Sequence, residues 1–412
     1  MQTSIDKTIK LTQPGQEADA ILRKCVHCGF CNATCPTYQL LGDELDGPRG
    51  RIYLIKQALE GNAVSRKTQT HLDRCLNCMA CETTCPSGVE YHRLLDIGRN
   101  WIEQRVQRSA YDTVRRKLLR RILPYKRRFS FLLGLGQLMS FVLPGAIKRT
   151  IPARQTKLPW PDKQHQRKML VLDGCVQPSL APNINTATAK VLGALGISLV
   201  KADKAGCCGA VSWHLSAPEE AKVFMRQNID AWWPFIEEGI EAIVMTASGC
   251  GSVVKEYGAY LADDKNYAQK ARRVSELTKD ISEILVNEDL NIFSNTSNST
   301  GKPQRIAFHA PCTLQHGQKI TGVVETILQQ AGYELTHVAD AHLCCGSAGT
   351  YSILQKDLSQ QLLTNKLKSL ENDHPDVIVT MNIGCLNHLA SGANTKVLHV
   401  VELLEKGLRL QP

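Results

Sequence analysis

Two stretches of this 412-residue chain carry one cysteine spacing: Cys25-x2-Cys28-x2-Cys31-x3-Cys35-Pro36 and, 50 residues later, Cys75-x2-Cys78-x2-Cys81-x3-Cys85-Pro86. Three thiols at steps of three residues can wrap one corner of a cube of iron and sulfide. The fourth, turned aside before a proline, reaches the neighbouring cluster. The spacing therefore predicts two [4Fe-4S] clusters, one held by Cys25, Cys28, Cys31 and Cys85, the other by Cys75, Cys78, Cys81 and Cys35. A zinc ribbon uses two C-x2-C pairs and has no need of a third regular thiol followed by Cys-Pro. Gly29 is read as leaving room for the backbone beside the first cluster.

The 50-residue offset also bears on fold, because a compact β-hairpin ferredoxin would bring its motifs closer together. Ile52, Leu54, Ile55, Ala58 and Leu59 recur with a helical period behind the Gly47-Pro48 breaker. An α-helical ferredoxin-like domain over residues 1–103 is the expectation.

Eight of the 16 cysteines remain, spread from Cys175 to Cys385. A secreted disulfide scaffold is a poor explanation, since a chain this long needs no covalent staples. The N-terminal residues lack the basic and apolar regions of a signal peptide, so the expected compartment is the reducing cytosol. The later cysteines expose an internal repeat. Cys175 is followed after 31 residues by Cys207-Cys208-Gly209 and then by Cys250; Cys312 is followed after 31 by Cys344-Cys345-Gly346 and then by Cys385. Apolar β-like runs precede the first and last cysteine of each copy, at 169–172, 242–245, 306–308 and 377–380. Each final cysteine is thus expected in a turn between a strand and a helix. The predicted architecture is multidomain: the ferredoxin domain, a helical linker (104–167), and a C-terminal α/β domain of two Cys-Cys-Gly repeats (168–300 and 301–412). Cys175, Cys207, Cys208, Cys250, Cys312, Cys344, Cys345 and Cys385 are candidates for a further cluster or redox thiols, against the plain reading of buried structural cysteines. His214, His309, His316 and His388 lie near these motifs and are read as structural.

The formal charge of +10 is concentrated in one arm. Residues 105–128 hold ten Lys or Arg and one acid, Asp112, a net +9 that leaves +1 for everything else. No aromatic platform interleaves these cations, which argues against nucleic acid. A docking face for an acidic partner and a membrane surface remain, the second favoured by the uncharged stretch 129–147. Ser130, Gly134, Gly136, Gln137, Ser140 and Pro144 make that stretch a poor membrane span, so a helix lying on a bilayer or packed on a partner is expected.

The chain contains no G-x-G-x-x-G after a strand, no P-loop, no nucleophile elbow and no H-E-x-x-H. Two clusters without an evident organic-cofactor site point to a conduit for electrons that another subunit collects, rather than to a catalytic residue on this chain. Paired cluster motifs joined to two Cys-Cys-Gly repeats resemble the iron–sulfur subunits of respiratory flavoprotein dehydrogenases. KCVHCGFCNATCPTYQLLGDELDGPRGRIYLIKQ (24–57) and RCLNCMACETTCPSGVEYHRLLDIGR (74–99) look most like the glycolate oxidase iron–sulfur subunits. That resemblance implies a cytoplasmic complex at the inner membrane. Its FAD-binding partner subunits would oxidise glycolate to glyoxylate, or D-lactate, with the eight N-terminal cysteines as cluster ligands. The alternatives are a glycerol-3-phosphate or lactate dehydrogenase subunit, or a thiol/disulfide reductase of the heterodisulfide type. In heterodisulfide reductases the fullest repeat motifs end in C-x2-C, whereas Val253 and His388 stand at that last position here.

Overall fold

The computed structural model describes residues 1–140, 151–293 and 303–408. They form two compact units: Met1–Leu118 with His214–Ser216 and His342–Leu362, and Leu119–Trp213 with Ala217–Ala341 and the chain from Leu363 onward. The 300/301 boundary expected between the repeats, and the end of the uncharged stretch from residue 141, lie outside the described residues.

The first unit is helical, with no strand among its described residues. Pro48 opens the helix Pro48–Leu59 behind an extended Gly47, where a missing N–H costs nothing. Its buried stripe of Ile52, Ile55, Ala58 and Leu59 meets Leu94, Leu95 and Ile102 of the helix Tyr91–Glu103, and Ile21 and Leu22 of Gln13–Lys24. Each of these Ile and Leu side chains contributes about 1.5–3 kcal/mol by leaving water. The helices approach closely because residue 98 is glycine; a Cβ there would lie 2.6 Å from Ile55 Cγ1.

The second unit holds two four-stranded parallel sheets. The first runs β2-β1-β3-β4, with β1 Arg167–Val171, β2 Ile197–Lys201, β3 Ile243–Met245 and β4 Thr278–Asp280. The second repeats that order as β6-β5-β7-β8, with β5 Arg305–His309, β6 Glu334–Leu335, β7 Val377–Thr380 and β8 Val397–His399. All pairings are parallel, so both sheet faces must be covered. Accordingly Leu170 and Leu172 pack toward Met225, Ile229 and Trp232 of the helix Pro218–Glu237. The alternate residues Met169 and Val171 face a core shared with Ile306, Phe308, Val377 and Val379 of the second sheet.

This strand order fixes where chemistry can occur. The chain leaves β1 in one direction and returns on its other side, so the connections diverge between β1 and β3. In open α/β sheets that divergence leaves a crevice at the carboxyl ends of the strands. Cys175 follows β1 and Cys250 follows β3; Cys312 and Cys385 occupy the matching places after β5 and β7.

Candidate metal centres

Two cavities in the helical unit collect the eight N-terminal thiols. Cys25, Cys28, Cys31 and Cys85 line one, and Cys35, Cys75, Cys78 and Cys81 line the other. Cys81 also borders the first. The fourth cysteine of each motif therefore lies in the cavity of the other copy. The local backbone explains how. His27 and Gly29 are left-handed, with φ of 60° and 87°, and the matching Asn77 and Met79 repeat this at 54° and 59°. Each loop curls its first two thiols inward, and a short helix, Phe30–Ala33 or Ala80–Thr83, presents the third. Gly29 adopts its left-handed φ without strain, and a Cβ there would meet the Arg49 guanidinium, 2.5 Å from Nη1. Pro36 opens the next helix and leaves Cys35 at its cap, facing away from its own motif.

The donor set suits iron–sulfur clusters. Burial, with Cys25 and Cys85 nearby, pushes the Cys31 thiol up to about 11. Burial, then Cys78 and Cys75, raises Cys81 well above the ordinary thiol range. Thiolates so crowded are costly unless a cation claims them.

Around the second cavity lies a charged network that spacing alone did not reveal. Arg51 is 1% exposed, donates from Nε to the His71 carbonyl at 2.7 Å and from Nη2 to Thr37 Oγ1 at 3.1 Å, and brings Nη1 to 4.0 Å from Cys35 Sγ. Asp46, fully buried, lies 3.5 Å from Arg51 and accepts from Arg74 Nη1 at 2.7 Å. Burial opposes the Arg51 charge, but Cys75, Tyr91, Cys35 and Asp46 together hold its pKa above the usual value.

In the first Cys-Cys-Gly repeat the four thiols form one network. Cys207 shares hydrogen bonds with Cys175 and Cys208, and Cys250 shares one with Cys208; these bonds, with burial, raise Cys207 and Cys250 well above the ordinary range. Asn228 Nδ2 donates to the Cys207 carbonyl at 2.9 Å, and the Tyr257 hydroxyl to that of Cys208 at 2.8 Å. Gly209, at φ 94°, would place a Cβ 3.0 Å from the Ala221 carbonyl; Gly346, at φ 90°, would place one 2.6 Å from that of Ser359. Both glycines donate N–H to the first thiol of their pair at 3.4 Å.

One expectation needs correction. Cys250 and Cys385 lie not in turns but inside the first turn of the helices Ser248–Lys255 and Ile383–Ala390. Only two residues separate each strand from its helix, which begins at Ser248 or at Ile383, so the Ser-Gly and Ile-Gly steps form its first turn. In the second repeat, Cys312 and Cys385 belong to the sheet unit, whereas Cys344 and Cys345 belong to the helical one. Cys385 Sγ accepts from Asn382 Nδ2 at 3.3 Å and has a ring nitrogen of His309 within 4.8 Å. His309 is buried, bonds Thr380 Oγ1 through Nδ1 at 3.0 Å, and leaves Nε2 without a partner. His214 contacts Asn77 Nδ2 at 3.1 Å, and His316 lies in the turn Thr313–Gly317 after Cys312.

Comparison with known proteins agrees with this anatomy. A family model described as a 4Fe-4S dicluster domain matches residues 21–89, and a cysteine-rich domain model matches 169–255 and again 306–390. Over 409 residues, 99% of each chain, the sequence is 54% identical to the glycolate oxidase iron–sulfur subunit of Escherichia coli. The chain belongs to the glycolate oxidase iron–sulfur subunit family. A probable member of that family from Bacillus subtilis is 30% identical over 93% of each chain. Lactate utilization protein A of Bacillus subtilis is more distant, at 24% over 56% of this chain and 95% of its own. A crystal structure of a hypothetical protein from Helicobacter pylori shares the fold at a TM-score of 0.53 and 10% identity, over 98% of this chain and 74% of that one. The dicluster match takes in all eight N-terminal cysteines, and two [4Fe-4S] clusters are the cofactors of this domain.

In this family member the basic arm is less bare than its composition implied. Arg108 is held by Asp73 at 2.6 Å and by Glu103 and Asp112, Arg116 by Asp73 and Asp112 at 3.0 Å, and Lys126 by Asp173. Arg105 stacks over Trp101. The more open feature is apolar. The helix Lys126–Leu138 buries none of its residues, and Phe131 and Leu138 are 72% and 73% exposed. No helix among the described residues is long and apolar enough to cross a membrane.

Proposed function

We propose that this chain is the electron-transfer subunit of a complex in which FAD-binding partner subunits oxidise glycolate to glyoxylate. The observation that carries this reading is the pair of thiol cavities with exchanged fourth cysteines, in a chain 54% identical along its length to a glycolate oxidase iron–sulfur subunit. Cys25, Cys28, Cys31 and Cys85 hold one cluster; Cys75, Cys78, Cys81 and Cys35 hold the other. The clusters supply one-electron carriers, which divide the two electrons of a reduced flavin. The protein's part is to fix the thiols, bury the second set more deeply than the first and leave one edge of the first open. Cys28 provides that edge, with Val26 and Phe30 exposed beside it. No side chain here is assigned to substrate chemistry, which belongs to the partner.

The helix Lys126–Leu138 rests on the cytoplasmic face of the inner membrane, with Arg127 and Arg128 toward anionic headgroups and Phe131, Leu135 and Leu138 toward the acyl boundary. The test of the main reading is assembly. The purified chain alone should show no glycolate-dependent dye reduction, and mixing with the flavoprotein subunits should restore it. Turnover by the isolated chain would refute the reading. For the helix, flotation with anionic vesicles should weaken as salt rises and fail in Phe131→Glu/Leu138→Glu; unchanged flotation of that variant would exclude this face.

A further inference from the structure

The two N-terminal cavities differ in electrostatics as well as in burial. Beside the first, the half-buried Arg49 pairs with Glu44 at 2.6 Å, so this ion pair carries no net charge. Beside the second, Arg51 and Arg74 pair with the buried Asp46, Asp43 lies within 4.8 Å of Asp46, and Glu82 stands next to Cys81, so what sets this cavity apart is a buried guanidinium against a thiol rather than an excess of charge. Arg99 Nη2 donates to the Cys75 carbonyl at 2.9 Å, and Arg51 Nη1 lies 4.0 Å from Cys35 Sγ. Thr37 Oγ1 stands 3.3 Å from the same sulfur. Tyr91 adds an unused donor: its hydroxyl is buried, has no hydrogen-bond partner, and its side chain borders both cavities.

Adding an electron to a cluster adds negative charge. A fixed cation or an N–H or O–H donor stabilises the reduced form, and does so more strongly where water cannot screen it. Water at the exposed Cys28 works in the same direction for the first cluster. It is a mobile, high-dielectric response, whereas the Arg51 guanidinium is held in place by three hydrogen-bonding partners in the interior. The fixed charge wins.

We propose that Arg51 and the Tyr91 hydroxyl are positioning residues that give the cluster of Cys75, Cys78, Cys81 and Cys35 the higher reduction potential, so that electrons entering at the first cluster move on to the second. This rests on the cluster assignment given above, and the experiment separates the two. Iron counting on the full chain tests the assignment, with about eight irons expected. A potentiometric titration followed by EPR tests the inference. Two separate one-electron steps are expected in the parent chain. Arg51→Gln should lower the upper step, Arg51→Lys should restore part of the loss, and Tyr91→Phe should lower the upper step with iron content intact. Tyr91→Phe removes one oxygen from an otherwise unchanged ring and serves if Arg51→Gln does not fold. An upper step that stays in place in iron-replete Tyr91→Phe overturns the proposal. So does a fall confined to the lower step, because the low-potential cluster would then be the one beside these groups.

Discussion

In the helical unit the fourth cysteine of each motif lines the cavity of the other copy, whereas in the first Cys-Cys-Gly repeat all four thiols of one copy meet one another. The chain thus contains two duplications with different dependence between copies. The ferredoxin copies exchange their fourth cysteines, so neither cavity is complete without both loops. The α/β copies share a hydrophobic core and a few hydrogen bonds, such as His399 Nε2 to the Thr246 carbonyl at 2.8 Å. Exchange of ligands ties two carriers into one rigid body, which suits electron transfer between them. A self-contained thiol set suits an independent site.

The largest effect that could break this contrast is on iron. Cys85→Ser lies in the second motif but should cost the first cavity its cluster, taking iron from about eight to about four per chain or fewer. Cys208→Ser should leave the N-terminal EPR signals unchanged. Two intact N-terminal signals in Cys85→Ser would mean that the copies do not exchange ligands.

A smaller effect concerns the joint between the α/β copies. Burial, against hydrogen bonding to the Thr246 and Met381 carbonyls, lowers the pKa of His399 from 6.5 to about 4. The folded state thus prefers the neutral ring. The stabilisation is complete above pH 6.5 and is lost as pH falls toward 4, by about 3 kcal/mol in total. Thermal midpoints across that window should fall for the parent chain and flatten in His399→Asn; parallel slopes would show that this joint is not the acid-sensitive element.

The smallest effect compares the repeats themselves. Gly209→Ala and Gly346→Ala each force a left-handed residue and a close contact, at a cost of about 1–3 kcal/mol. Gly346→Ala should be the worse, because its Cβ would stand 2.6 Å from a carbonyl oxygen rather than 3.0 Å. Calorimetry showing the reverse order would indicate that the Gly346 loop relaxes more readily than the Gly209 loop.

Much of this was legible in the sequence because cysteine spacing encodes geometry directly. The strand at Val377–Thr380 has the bounds its apolar run implied, and the Gly47-Pro48 breaker opens the helix that follows. Arg51 and Tyr91 were not legible, since each reads as an ordinary polar position on a helix. Only the packing of three helices around the loops shows them to be buried against thiols. The basic arm misled for a related reason. A charge count over residues 105–128 omits Asp73, Glu103 and Asp173, which lie outside that window and pair with its cations. His309 and His388 replace Leu172 and Val253 of the first repeat, a difference visible in sequence only once the repeats are superposed.

The central claim is that electrons from the partner's substrate pass through both interlocked clusters of this chain. Freeze-quench EPR of the assembled complex after anaerobic addition of glycolate tests it most directly. The account predicts that both clusters become reduced within a turnover, with magnetic interaction between them. Turnover at full rate with both clusters still oxidised would contradict it.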